Sequence, residues 1–138
     1  MIAKRVARML IGLCMVSSPL LGCDSVDPGP LRVLNSDPMA HVALAKGVQE
    51  RRDEQDAGIV LGKPRRAQIL TVYTPRDGVT LADLQDEGVQ TAQKAGWALS
   101  RPSSNFAEAQ KREGDITVEL SIYPDDDGTH LIVLLRQK

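Results

Sequence analysis

At 138 residues the chain has room for one small domain and a short flanking segment. Seventeen basic residues against eighteen acidic ones give a net charge of −1, without the basic field that generic nucleic-acid binding requires. The only aromatic residues are Tyr73, Trp97, Phe106 and Tyr123, so the core must be built mainly from Ile, Leu and Val.

The N-terminus carries Lys4, Arg5 and Arg8 with no acidic residue, and the apolar run Met9 to Val16 follows. Ser17-Ser18-Pro19 breaks that run ahead of Leu20-Leu21-Gly22-Cys23, completing the basic, apolar and small-residue order of a secretory leader. Fifteen uncharged residues separate Arg8 from Asp24, short of the roughly 17–25 of a membrane-spanning helix.

Leu20-Leu21-Gly22-Cys23 matches a lipobox, and through it the chain resembles a bacterial lipoprotein precursor. The resemblance implies that residues 1–22 are a signal peptide cut between Gly22 and Cys23, and that the Cys23 sulfur carries diacylglycerol. Glycine before the cut lets the processing enzymes approach the backbone; Leu21 is bulkier than the commonest residue at its position. Two acyl chains hold a protein at a bilayer where one is marginal, and N-acylation adds a third. The expected address is the extracytoplasmic face of the cell membrane, and Asp24 matches the inner-membrane retention mark of enteric-type lipoproteins. The mature chain of 116 residues would carry 14 basic and 18 acidic side chains. With Cys14 removed and Cys23 a thioether, no thiol would remain for a disulfide, a zinc site or a nucleophile.

Residues 23–66 are read as the lipidated cysteine, a flexible tether and a weakly patterned segment. Asp24 to Pro30 is rich in Pro, Gly and Asp, the composition of a tether. Leu31, Val33 and Leu34 suggest the start of a short strand, and Asp37-Pro38 an N-cap with proline at the first position of a helix reaching about Ala45. Gln49 to Asp56 has no apolar residue and reads as a solvated loop or exposed helix. Ile59-Val60-Leu61 is an apolar island before Gly62-Lys63-Pro64.

Residues 67–138 carry the sharper signals. Ala67 to Thr74 is rich in β-branched residues and ends at Pro75, so it reads as a strand. Pro75 to Gly78 is a turn. Thr80 with Asp83 three residues later has the spacing of a capping box. Leu81, Leu84, Gly88, Ala92 and Ala95 then form one narrow helix face, small enough to sit close on a sheet. Gly96 suits a left-handed helix end, with Trp97 supplying the apolar contact of a Schellman motif.

A short strand is expected from Trp97 to Ser100, a turn from Arg101 to Asn105, and a further strand from Phe106 to Arg112. Ile116, Val118, Leu120 and Ile122 alternate with polar partners as a half-buried strand. Pro124 to Gly128 is a hairpin loop. Thr129 to Arg136 returns from it, apolar on both faces as an interior strand would be. The fold class is α+β, a two-layer sandwich with one main helix on a mostly antiparallel four-stranded sheet in the order β-α-β-β-β.

Asp125-Asp126-Asp127-Gly128 is not an EF-hand: placing Gly128 at the turn glycine puts Tyr123 at the first ligand and Leu134 at the bidentate acid. His41 and His130 lack a HExxH pattern, and no GxSxG, P-loop or Rossmann glycine pattern occurs. Glu87, Glu108 and Glu119 have no spacing that selects a catalytic pair. Arg51-Arg52 has acids beside it, whereas Lys63, Arg65 and Arg66 form a cluster suited to membrane or partner contact. No catalytic, cofactor or metal residue is assigned, and an enzyme is not expected. The expected function is an envelope interaction or accessory module held by a lipid anchor and engaging a protein or envelope polymer. A small-ligand carrier with a cavity between helix and sheet is the alternative, and a hydrolase a weaker one.

Overall fold

The computed structural model describes residues 24–138, so the expected signal peptide, its flank at Gly22 and the expected lipidation site Cys23 lie outside the described residues. Chain order is β1 (Ser25–Asp27), α1 (Gly29–Ser36), a 3-10 helix (Pro38–His41), β2 (Gly47–Gln55), β3 (Ala57–Val60), β4 (Lys63–Arg65), β5 (Gln68–Pro75), α2 (Leu81–Lys94), β6 (Ser100–Ser103), β7 (Phe106–Glu113), β8 (Ile116–Pro124) and β9 (Leu131–Gln137). The class is α+β, but the sheet has six strands rather than four, ordered β2-β5-β9-β8-β7-β6, and β1-β3-β4 form a second, smaller sheet.

The inner face of the large sheet is continuous with the core. Ile69, Thr71 and Tyr73 of β5, Leu131, Val133 and Leu135 of β9, and Val118, Leu120 and Ile122 of β8 are all buried. Helix α2 lies on β8 and β9. Its cap is half the expected box, with the Thr80 hydroxyl accepting from the Asp83 N–H at 3.1 Å. A Cβ at Gly88 would stand 3.5 Å from Ile122 and 3.6 Å from Leu131, so the small face brings the helix into van der Waals contact with the sheet and leaves no room for an apolar ligand there. At the other end Trp97 N–H donates to Ala92 O at 3.0 Å and Gly96 N–H to Gln93 O at 3.1 Å, with Gly96 at φ +93°. That pair of bonds is the Schellman motif.

Residues 24–66 depart furthest from the sequence reading. The proposed tether is ordered: Ser25, Val26 and Asp27 pair with Ile59, Gly58 and Ala57. Leu31, Val33 and Leu34 sit in α1, which packs on β5 and β9 with Leu34 fully buried. Asp37 caps the next turn as expected, accepting the Met39 N–H at 2.8 Å, but that turn is a 3-10 helix ending at His41.

The stretch Gln49 to Asp56, whose composition predicts a solvated loop or exposed helix, instead supplies all of β2 after Val48, up to Gln55. Its charges are those of an edge strand, where polar residues block pairing with other chains. Arg52 turns inward, its Nε donating to Ala40 O at 3.2 Å and its Nη2 to Asn35 Oδ1 at 3.0 Å, so an arginine covers the edge instead of an aliphatic side chain. The opposite edge, β6, is short and carries Pro102.

Candidate functional site

Both helices and the 3-10 turn pack on one face of the large sheet. The other face is organised in rows across the strands, because antiparallel register puts alternate residues side by side. One row runs Arg51, Val72, Ile132, Tyr123, Phe106. The next runs Asp53, Leu70, Leu134, Ser121, Glu108, and a third Gln55, Gln68, Arg136, Glu119, Gln110. The face therefore grades from apolar at one end of the strands to polar at the other. Phe106 and Tyr123 stack at a centroid distance of 5.5 Å, and burial among these neighbours raises the Tyr123 phenol.

A charged corner borders the apolar row. The bulge between Gln49 and Arg51 inserts Glu50 as an extra residue, and such bulges re-aim side chains. Glu50 Oε2 thereby lies 3.2 Å from His130 Nε2, while Asp125 Oδ2 lies 2.9 Å from His130 Nδ1. Both contacts are hydrogen bonds only when each ring nitrogen carries a proton. Slight burial raises the Asp125 carboxyl, but the His130 and Thr129 N–H groups and the imidazole outweigh it and hold it below the usual range. Glu50, Arg51, Val72, Asp125, His130 and Ile132 line a depression of 440 Å³. The Thr129 hydroxyl also lies 2.7 Å from His130 Nδ1 and donates to Asp125 Oδ2 at 3.4 Å, so it is held in the same local network; the corner offers charge beside an apolar floor, which suits binding.

No protein-family model, curated protein sequence or solved structure matches this chain.

A second polar cluster lies inside the fold, on the helix face. Asp37 Oδ2 pairs with Lys111 Nζ at 2.8 Å, Lys111 also reaches Glu113 Oε1 at 3.0 Å, and the ammonium sits 4.2 Å from the Trp97 ring centroid. Burial raises Glu113, hydrogen bonding to Asp37 raises it further, and Lys111 only partly offsets both, leaving it at about 7. For Asp37 burial also acts upward, but bonds from Glu113, Lys111, Met39 N–H and Trp97 overcome it and the net shift is downward. The two carboxyls are thus shifted in opposite directions, Glu113 upward and Asp37 downward. The Asp37 side chain has no solvent exposure, whereas Lys111 and Glu113 are half-buried, and the cluster ties the turn after α1, the end of α2 and β7 together.

Of the sequence-selected residues, Lys63 and Arg65 lie on β4 of the small sheet, and Arg66 follows it. Lys63 and Arg66 are exposed, whereas Arg65 bends inward, its Nε donating to Asp56 O at 3.0 Å. None of the three reaches the open face. The residues that do form the charged corner, Glu50, Asp125 and His130, were not selected, since each carries a different strand or loop signal and only the register unites them. His41 is exposed and ends the 3-10 helix, lining a different depression with Val42, Gly47 and Tyr73. Among the described residues no helix is long and apolar enough to cross a membrane.

Proposed function

We propose that the chain is a lipid-anchored extracytoplasmic adaptor of the cell envelope, attached through Cys23 after removal of residues 1–22 and receiving a protein partner on the open face of its large sheet. The row Val72, Ile132, Tyr123, Phe106 carries the reading. It places two β-branched and two aromatic side chains side by side on a face that neither α1 nor α2 covers, bordered by Arg51, Asp125 and His130. An apolar centre containing aromatics and a charged rim is the anatomy of a protein-binding patch. Polar sugars of an envelope polymer would instead favour the far row of Gln68, Arg136 and Glu119.

The lipid anchor supplies the other half of the function: confinement to a membrane surface raises the local concentration of partners on the same surface. The experiment is photo-crosslinking in native membranes, with a photoreactive residue replacing Ile132 in one form and Gln90, on the solvent side of α2, in another. A discrete protein adduct from position 132 and none from position 90 is expected. Equal adducts from both, or none from position 132, would contradict a docking role for the open face, and a polysaccharide adduct would reassign the partner.

A further inference from the structure

The strands β2 and β5 do not end where the large sheet ends. Beyond Asp56 and Arg66 the same two-stranded ribbon continues as β3 and β4, with Val60 opposite Lys63 and a turn at Leu61-Gly62. Both turn residues have positive φ, +51° at Leu61 and +73° at Gly62, the backbone of a tight hairpin turn in which Asn or Gly usually stands first. A leucine there is strained and gains no packing, for it is 81% exposed. Val26 at 63% and Ile59 at 44% are also open to solvent, so three of the four exposed large apolar residues among those described lie on the small sheet that this ribbon forms with β1. Val26 and Ile59 point to opposite sides of that sheet; α1 packs on the base of β3, where Ala57 is buried, but Val26, Ile59 and Leu61 stay open to solvent.

The start of the described chain is fastened to the same place. Asp24 Oδ1 accepts the Leu61 N–H at 3.0 Å, and β1 pairs along β3. Glycine at 58 permits that pairing, because a Cβ there would meet Ser25 O at 1.9 Å. In sequence, Cys23 immediately precedes Asp24.

We infer that the β3–β4 tip, led by Leu61, is a foot that seats in the bilayer interface directly beside the lipidated cysteine. This rests on the lipid-anchor reading for its proximity to the membrane, and the foot then sets the orientation that a flexible tether would leave free. Lys63, Arg65 and Arg66 are offset by Asp24, Asp27 and Asp56 on the same sheet and its flanks, so apolar insertion rather than charge supplies the attraction. The orientation has a consequence for the open face. Gln68, next to β4, is near the foot, while Val72 is four residues further along the strand, about 13 Å away. The apolar docking row is thus presented at the end of the sheet away from the membrane.

The test uses the full processed chain in phosphatidylcholine vesicles bearing brominated acyl chains, with and without phosphatidylglycerol. Leu61→Trp is compared with Val48→Trp, an exposed position on β2, against the buried Trp97 of the unsubstituted chain. Bromolipid quenching of Leu61→Trp at least about twofold stronger than that of Val48→Trp, and little changed by phosphatidylglycerol, is expected. Co-flotation with intact quenching supports both anchor and foot. Flotation with an unquenched Leu61→Trp overturns the foot and leaves the anchor standing. A chain that fails to float but is quenched when mixed with vesicles removes the anchor and keeps the foot, and failure of both readouts removes both. Should tryptophan disturb the hairpin, amide exchange at Ile59 to Gly62 of the unsubstituted chain gives the same answer: slowed on vesicles if the foot seats, unchanged if it does not.

Discussion

The indole N–H of Trp97 donates to Asp37 Oδ1 at 3.2 Å, joining residues 60 apart in the chain. Around this bond Lys111 and Glu113 complete a cluster that links the turn after α1, the turn after α2 and β7. Its protonation reports on folding. Glu113 keeps its proton in the fold up to about pH 7, whereas the unfolded chain releases it near the ordinary value of 4.5. The folded state therefore binds more protons between those limits, and this contribution is lost as pH rises through the window. Asp37, shifted downward, contributes in the opposite sense only below the usual carboxylate range. Denaturant titrations are expected to give lower stability at about pH 8 than at about pH 5, by on the order of 2 kcal/mol. Glu113→Gln, permanently neutral, should flatten that dependence and exceed the unsubstituted chain at the higher pH. A slope unchanged by the substitution would assign the proton elsewhere.

Tyr73 fixes the loop before β2. Its hydroxyl donates to Val42 O at 2.6 Å inside the core, and burial, only partly opposed by Arg52, pushes the phenol up to about 12. Tyr73→Phe leaves that carbonyl without its partner and should cost about 1–2 kcal/mol in equilibrium unfolding. A neutral substitution would mean that the loop finds another donor.

Gly96 ends α2 with φ +93° in open space, so any cost of a side chain there is conformational rather than steric. Gly96→Ala is expected to lower stability by about 1 kcal/mol, read as a lower midpoint at unchanged denaturant slope. An unchanged midpoint would argue against the left-handed residue.

Gly58→Ala acts differently. Its Cβ would overlap Ser25 O, so β1 should leave β3 while the large sheet stays intact. Limited proteolysis is expected to cut within residues 24–28 several times faster, with the global unfolding midpoint nearly unchanged. A large drop in the midpoint would show that the small sheet is part of the cooperative core.

How much of this was legible in the sequence follows from how local each signal is. Thr80, the Leu84-Gly88-Ala92 stripe and Gly96-Trp97 define α2 through neighbours within a few residues, and that helix was readable from end to end. The alternation in Ile116 to Ile122 likewise exposed β8. Strand β2 was not readable, because its stability comes from pairing with β5 and from Asn35 of α1 and Ala40 of the 3-10 helix, which receive Arg52. Strand β1 depends on β3, some thirty residues later, and its Pro-Gly-Asp surroundings resemble a linker. The buried cluster did leave one trace: Ala107, Ala109, Lys111 and Glu113 share strand parity, which puts a lysine and a glutamate on the face of the buried alanines. The charged corner left none, since a bulge rather than a spacing aims Glu50 at His130.

The proposed adaptor role and the proposed foot both rest on a lipid at Cys23, so the most direct measurement is intact-mass spectrometry of the chain isolated from membranes of the cell that makes it. The account predicts an N-terminus at Cys23 carrying diacylglycerol. A chain that retains residues 1–22, or one that begins at Cys23 with a free thiol, would contradict it.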